Sequence, residues 1–274
     1  MKYTCPPRTI IEVSLAIQSV EDLIVAVRDD SSDWHPKEPK WFRGEPDVNT
    51  ALTPTLYRGG FAPHENALLQ MFRAKASGFH ETVPMREHTD QWLFLARHAS
   101  LPTRLLDWSE GALIALHFAL KECKPVVWML NPLDLNDLSY TTPLLTPRPR
   151  EFPLPWHGPG NPAFENLRGA WEQNSRGVPL PVAIYPTYVH PRLRGQRSCF
   201  TIHGTDVRGL DVLLPNNPIL KRYVVDPARR QSMRSELADL ILPSPWSHKW
   251  HHFQTFCRPL ILTAGSAASS LSIL

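Results

Sequence analysis

"LPTRLLDWSEGALIALHFALKEC" (residues 101–123) is the stretch on which the reading of this chain turns. Ala112, Leu113, Leu116, Ala119 and Leu120 recur at helical spacing and make one apolar stripe. Ile114 and Phe118 make the opposite side apolar as well, so the helix is expected to be buried on more than one side. Asp107 is expected to cap its start, because Glu110 follows three residues later at capping-box spacing.

Working outward, "PVVWMLNP" (125–132) reads as a strand that ends at Asn131-Pro132. Upstream, "TDQWLFLARHA" (89–99) reads as a helix with Thr89 as cap. "HENALLQMFRAKASGF" (64–79) is another, with Leu68, Leu69, Phe72 and Ala76 on one stripe. "PKWFRGE" (39–45) is a short strand stopped by Gly44 and Pro46. Ser19 precedes Val20-Glu21-Asp22, the pattern of an N-cap before an acidic first turn. "PVAIYPTYV" (181–189), "SCFTIHG" (198–204) and "KRYVVD" (221–226) read as further strands, and Pro227 opens a helix ending near Leu242. From about 133 to 180, proline crowding predicts a long loop. The economical reading is one α+β domain over 1–242 that contains this loop, with a peripheral tail over 243–274.

Composition sets outer limits. The 274 residues are 42% hydrophobic and 20% charged, which permits a sizeable core and argues against global disorder. The net charge of +3 permits an anionic partner without requiring one. Cys5, Cys123, Cys199 and Cys257 are far apart and contain no CxxC, so they are expected to be free thiols of a reducing compartment. The N-terminal stretch has no signal-peptide core and no 18-residue apolar run occurs, so a cytoplasmic location without membrane contact is expected. No Walker loop, GxGxxG, GxSxG or HExxH is present. His248, His251, His252 and Cys257 have the residue types of a metal set but no supporting carboxylate, so no metal is expected.

Two segments place an arginine beside glycine behind an aromatic: "WFRGE" (41–45) and "LYRGG" (56–60). Together with "ARHASLPTRLLDWSEGALIALHFAL" (96–120) and "RLRGQRSCFTIHG" (192–204), the first resembles the FRG domain, a family named for a Phe-Arg-Gly signature. The resemblance spans roughly 39 to 204 and makes the second segment a stretch that follows the motif, with Arg58 at most a secondary contact. This sequence departs from the family pattern in two places. Arg97 stands where the family has Gln before His98, and Ala99-Ser100 replaces an aromatic-Gly pair, so a different turn is expected there.

A more distant resemblance is to ADP-ribosyltransferases of the Arg-Ser-Glu type. It implies two small packed antiparallel sheets flanked by helices, and NAD as substrate. Arg43 then fits the first part of the motif, Ser109 before "ALIALHFA" the second, and Gln196 falls where the third part has glutamate. In that reading Arg43, Arg104 and Trp108 contact the dinucleotide, and Gly44 lets it approach the backbone. Ser109 holds the ribose. Gln196 can bind a hydroxyl but cannot act as a base, which leaves Glu45, Asp107 or His98 for that role. Each residue also has a structural alternative: Arg43 paired with Glu45 or Asp107, Arg104 paired with Asp107 to lock the turn, Trp108 in packing, Ser109 at a helix start. The implied role is a toxin or anti-phage effector acting on RNA, DNA or protein, with an antitoxin protein as a further partner. The competing reading is a non-enzymatic module that grips a phosphate-bearing or nucleic-acid ligand.

Overall fold

The computed structural model describes residues 16–36, 38–76, 78, 83–140, 162–172, 178–186 and 197–240. The chain is α+β, and among the described residues six strands form one sheet in the order β4-β5-β2-β1-β3-β6. The strands are β1 (Trp41–Glu45), β2 (Leu105–Ser109), β3 (Val126–Leu130), β4 (Val182–Ile184), β5 (Ser198–Ile202) and β6 (Leu220–Val224). This corrects the expectation of two packed sheets. β2 is hydrogen-bonded along both edges, so the ladder runs on instead of dividing. By contact, the chain groups into two compact units, each assembled from separate stretches.

The described residues of the first unit fall within 16–51, 108–132 and 214–240. Its strands β1, β3 and β6 pair antiparallel, with Arg43 opposite Trp128 and Trp128 opposite Arg222. Ser109, at the end of β2, lies opposite Phe42. Helices α1 (Val20–Asp30), α5 (Ala112–Ala119) and α9 (Arg230–Leu240) accompany them. Ser19 caps α1 as expected, its Oγ accepting from the Asp22 amide at 3.0 Å. The core joins Phe42, Val127, Met129 and Tyr223 of the strands to Ala115, Leu116 and Ala119 of α5 and to Leu23, Met233 and Leu237. Cys123 is disulfide-bonded, against the expectation of a free thiol; separation along the chain does not set separation in space.

The described residues of the second unit fall within 52–107 and 133–213. It holds α2 (Thr55–Arg58), α3 (Glu65–Ala76), α4 (Thr89–His98), α6 (Pro132–Tyr140, from its second residue), α7 (Pro162–Trp171) and α8 (Leu210–Leu213). Helices α6 and α7 occupy parts of the stretch expected to be loop; proline at each first position is compatible with a helix start. Leu68, Leu69, Phe72 and Ala76 are buried as the stripe predicts, against Trp92, Phe94, Leu105, Leu167 and Phe200. β4 is an edge strand, and the Asn136 side chain completes its edge: Nδ2 donates to Ala183 O at 3.0 Å and Oδ1 accepts from Ala183 N at 2.7 Å. Cys199 is free and buried.

The end of α4 shows how a residue change is absorbed. His88, not Thr89, occupies the N-cap. At the other end the Leu101 amide bonds to Ala96 O and the Ser100 amide to Arg97 O, each at 3.0 Å. That is the Schellman pattern, which wants a left-handed residue after the cap. Ser100 supplies it at φ 65°. Ser100 thus fills a turn position that glycine usually takes.

Candidate functional site

The site in the first unit starts from strand alternation. Trp41, Arg43 and Glu45 project to one face of β1, and Phe42 and Gly44 to the other. Helix α5 covers Gly44 so closely that a Cβ there would lie 1.8 Å from Ala115 O and 2.7 Å from Ala119 N. The space left by the missing side chain is therefore filled by a helix backbone and not open to a ligand. This overturns the role expected for Gly44 and explains the alanines of α5, whose small side chains let its backbone approach the strand.

On the other face, Arg43 and Glu45 form a close pair. Nε donates to Glu45 Oε1 at 2.7 Å, and Nη2 lies 2.6 Å from the same oxygen. Their side chains are 12% and 7% exposed. The register adds Trp128 from β3, and Trp108 by continuing the β2 pairing one residue. Trp128 is 8% exposed and its buried indole Nε1 has no hydrogen-bond partner. The exposed Arg222 lies with its guanidinium carbon 5.5 Å from the Trp128 ring centroid and donates to Val48 O at 3.3 Å. Two cations, one carboxylate and three indoles (Trp41, Trp108 and Trp128) thus share a face, of which Arg222 on β6 is the exposed member. Sequence reasoning missed Trp128 and Arg222; the only signal was their alternation within "VVWML" and "LKRYV".

Ser109 does not join them. Lying opposite Phe42, it projects to the α5 side, where its Oγ accepts from the Gly111 amide at 3.1 Å. Arg43 and Ser109 therefore point to opposite faces. The capping box is also corrected: α5 begins at Ala112 after Gly111, and Asp107 lies within β2.

In the second unit, Arg97 Nε donates to Asp107 at 2.8 Å. Arg104, expected to pair with Asp107, instead grips Glu65: Nε donates to Oε1 at 2.9 Å, and Nη1 donates to His203 O at 3.2 Å. The Arg104 and Glu65 side chains are 8% and 5% exposed. Burial pushes the Glu65 carboxyl above its ordinary range, and Arg104 offsets only part of that. For Arg104 burial acts downward, but the Glu65 charge and hydrogen bonds outweigh it. His98 is the last residue of α4 and partly buried. Arg58 ends α2 at the surface. Gln196, the tail from 243 and its His248, His251, His252 and Cys257 set lie outside the described residues.

Residues 38–126 match the family model of the FRG domain, and over that span the chain is FRG-family sequence. The match includes β1, β2 and α5, the elements that carry the Arg43 face and the helix behind it. No curated protein and no solved structure matches the chain. No helix among the described residues is long and apolar enough to cross a membrane.

Proposed function

We propose that the chain is an ADP-ribosyltransferase that uses NAD to modify a macromolecule, nucleic acid or protein, with the Arg43 face as its working surface. The observation that supports this is the placing of Arg43, Glu45, Trp108 and Trp128 on one face of β1, β2 and β3. A guanidinium can meet the pyrophosphate, and indoles can stack on a base or the nicotinamide ring. Among the candidates for the base, Glu45 takes that part. In transfer, the bond from ribose C1′ to the nicotinamide nitrogen breaks and neutral nicotinamide leaves. The acceptor's nucleophile bonds to C1′ and its proton passes to the Glu45 carboxylate. Ser109, Gly44 and Arg104 have structural roles in this version. The toxin or anti-phage role, and an antitoxin protein that holds the activity in check, go with this reading.

One observation favours the non-enzymatic alternative: the Arg43 fork is already committed to Glu45, which balances its charge. Such a face could grip a phosphate-bearing or nucleic-acid ligand without turning over NAD. The test is incubation with labelled NAD and separate protein and nucleic-acid fractions, reading label transfer and nicotinamide release. Glu45→Gln should lower turnover about 100-fold or more while leaving NAD binding within severalfold. Absence of transfer, of release and of NAD binding in the unaltered chain refutes the enzyme reading. Oligonucleotide binding under the same conditions would support the alternative.

A further inference from the structure

The second unit contains a cavity of about 430 Å³ that none of the roles above uses. Its polar wall is Tyr57, Glu65, Asn66, Arg104 and Thr205, and Ala62 and Val207 contribute apolar surface. Within this wall the Arg104 guanidinium is only partly satisfied. Glu65 takes its Nε and Nη2, and His203 O takes one hydrogen of Nη1. A guanidinium has five N–H donors, so two are left without a partner among the described residues. Gly169 lies flat against it: a Cβ there would sit 2.8 Å from Nη1. Tyr57 donates its hydroxyl proton to Gly204 O at 2.7 Å, which leaves its oxygen able to accept.

Asn66 is the unusual member. Its Oδ1 is buried without a hydrogen-bond partner. The amide makes no hydrogen bond to any described residue, so it can turn about its last torsion and present either end to the cavity. A buried unpaired amide oxygen costs about 1–3 kcal/mol, a cost a fold has no structural reason to keep.

The charge balance restricts the ligand. Glu65 already neutralises Arg104, so a further anion gains little there. Spare donors on Arg104, an amide that can donate or accept, a hydroxyl on Thr205 and an accepting phenol oxygen suit a neutral ligand with acceptor and donor atoms side by side. The volume falls in the range of small-molecule sites. We propose that this cavity binds a neutral ligand through such an edge, the chemistry shared by a nucleobase and a carboxamide, with Arg104 donating to its acceptor and Asn66 completing the pair. The proposal does not depend on the Arg43 face.

The test uses ligand-observed NMR titration of the full chain with adenosine, cytidine, uridine, guanosine, nicotinamide and inorganic phosphate. At least one neutral ligand should saturate, and phosphate should not. The nucleosides and nicotinamide separate the two sources of the edge. Asn66→Ala should weaken the ligand that binds about tenfold and leave thermal stability equal or higher, because an unpaired amide has been removed. Val207→Trp, at an exposed position, should block the cavity without unfolding the chain. No saturation by any neutral ligand at millimolar concentration overturns the proposal. So does phosphate binding as tightly as the best neutral ligand, or an Asn66→Ala chain that loses stability while ligand binding is unchanged.

Discussion

Gly44→Ala distinguishes a glycine kept for a helix from a glycine kept for a ligand. The added Cβ would sit 1.8 Å from Ala115 O. Restoring even a 3.0 Å contact means moving α5 off β1 by about 1.2 Å. A gap of roughly 0.5–1 Å already forfeits a quarter to a half of a dispersion contact, so the packing of α5 on Phe42, Val127 and Met129 is lost along with the clash. Overpacking of a well-filled core costs about 1–3 kcal/mol. Because both atoms struck are backbone, neither rotamer change nor the trimming Ala115→Gly can relieve it, and the cost belongs at about 3 kcal/mol. For a chain of this length that lowers Tm by roughly 6–12 °C. Thermal unfolding by circular dichroism is the assay. Gly60→Ala is the reference: Gly60 has φ +69° and nothing within 4 Å, so only the left-handed backbone term of about 1 kcal/mol applies. An unchanged Tm for Gly44→Ala, with NAD or nucleotide binding lost, refutes the packing argument and restores Gly44 to the ligand.

Two ion pairs of the second unit, Arg104–Glu65 and Arg97–Asp107, should behave differently. Glu65→Gln leaves a buried guanidinium uncompensated and should cost about 3–5 kcal/mol, whereas Arg97→Ala should cost about 1 kcal/mol or less, since the Asp107 side chain is 40% exposed; urea unfolding ranks them. Ser100→Gly should raise stability by about 0.5–1 kcal/mol, because glycine takes the left-handed position without the Cβ penalty; an unchanged or lower urea midpoint would contradict this. Burial pushes the hydroxyls of Tyr57 and Tyr223 above the ordinary value near 10. Both are held neutral in the fold, so their contribution is full below pH 10 and is lost as pH rises beyond it. Absorbance at 295 nm should show at least two of the six tyrosines ionising only as the chain unfolds, and a single reversible step for all six would count against it.

Much of the local structure was legible because its causes are local. Ser19 before an acidic turn, the Leu68–Leu69–Phe72–Ala76 stripe and the strand at 41–45 each depend on neighbours within a few residues. The errors share a cause as well. "RLLDWSEG" has the spacing of a capping box, yet Leu105–Ser109 is drawn into a ladder between two other strands, and tertiary pairing overrides the local signal. Proline crowding suggested a loop where proline stands at the first turn of α6 and α7.

The sequence alone determined that Arg43 lies on a strand beside Glu45 and that an alanine-rich helix follows Ser109, because alternation, helical period and motif are written in consecutive residues. The partners of these groups were settled only by the folded chain. Arg104 meets Glu65, 39 positions away, and Gly44 meets the backbone of α5, 71 positions away. Arg43 and Ser109, read as one site, point to opposite faces because a one-residue step in register reverses the face. The residue types a site needs can be read from a linear chain, but the side of the sheet on which each one ends up is a property of strand pairing.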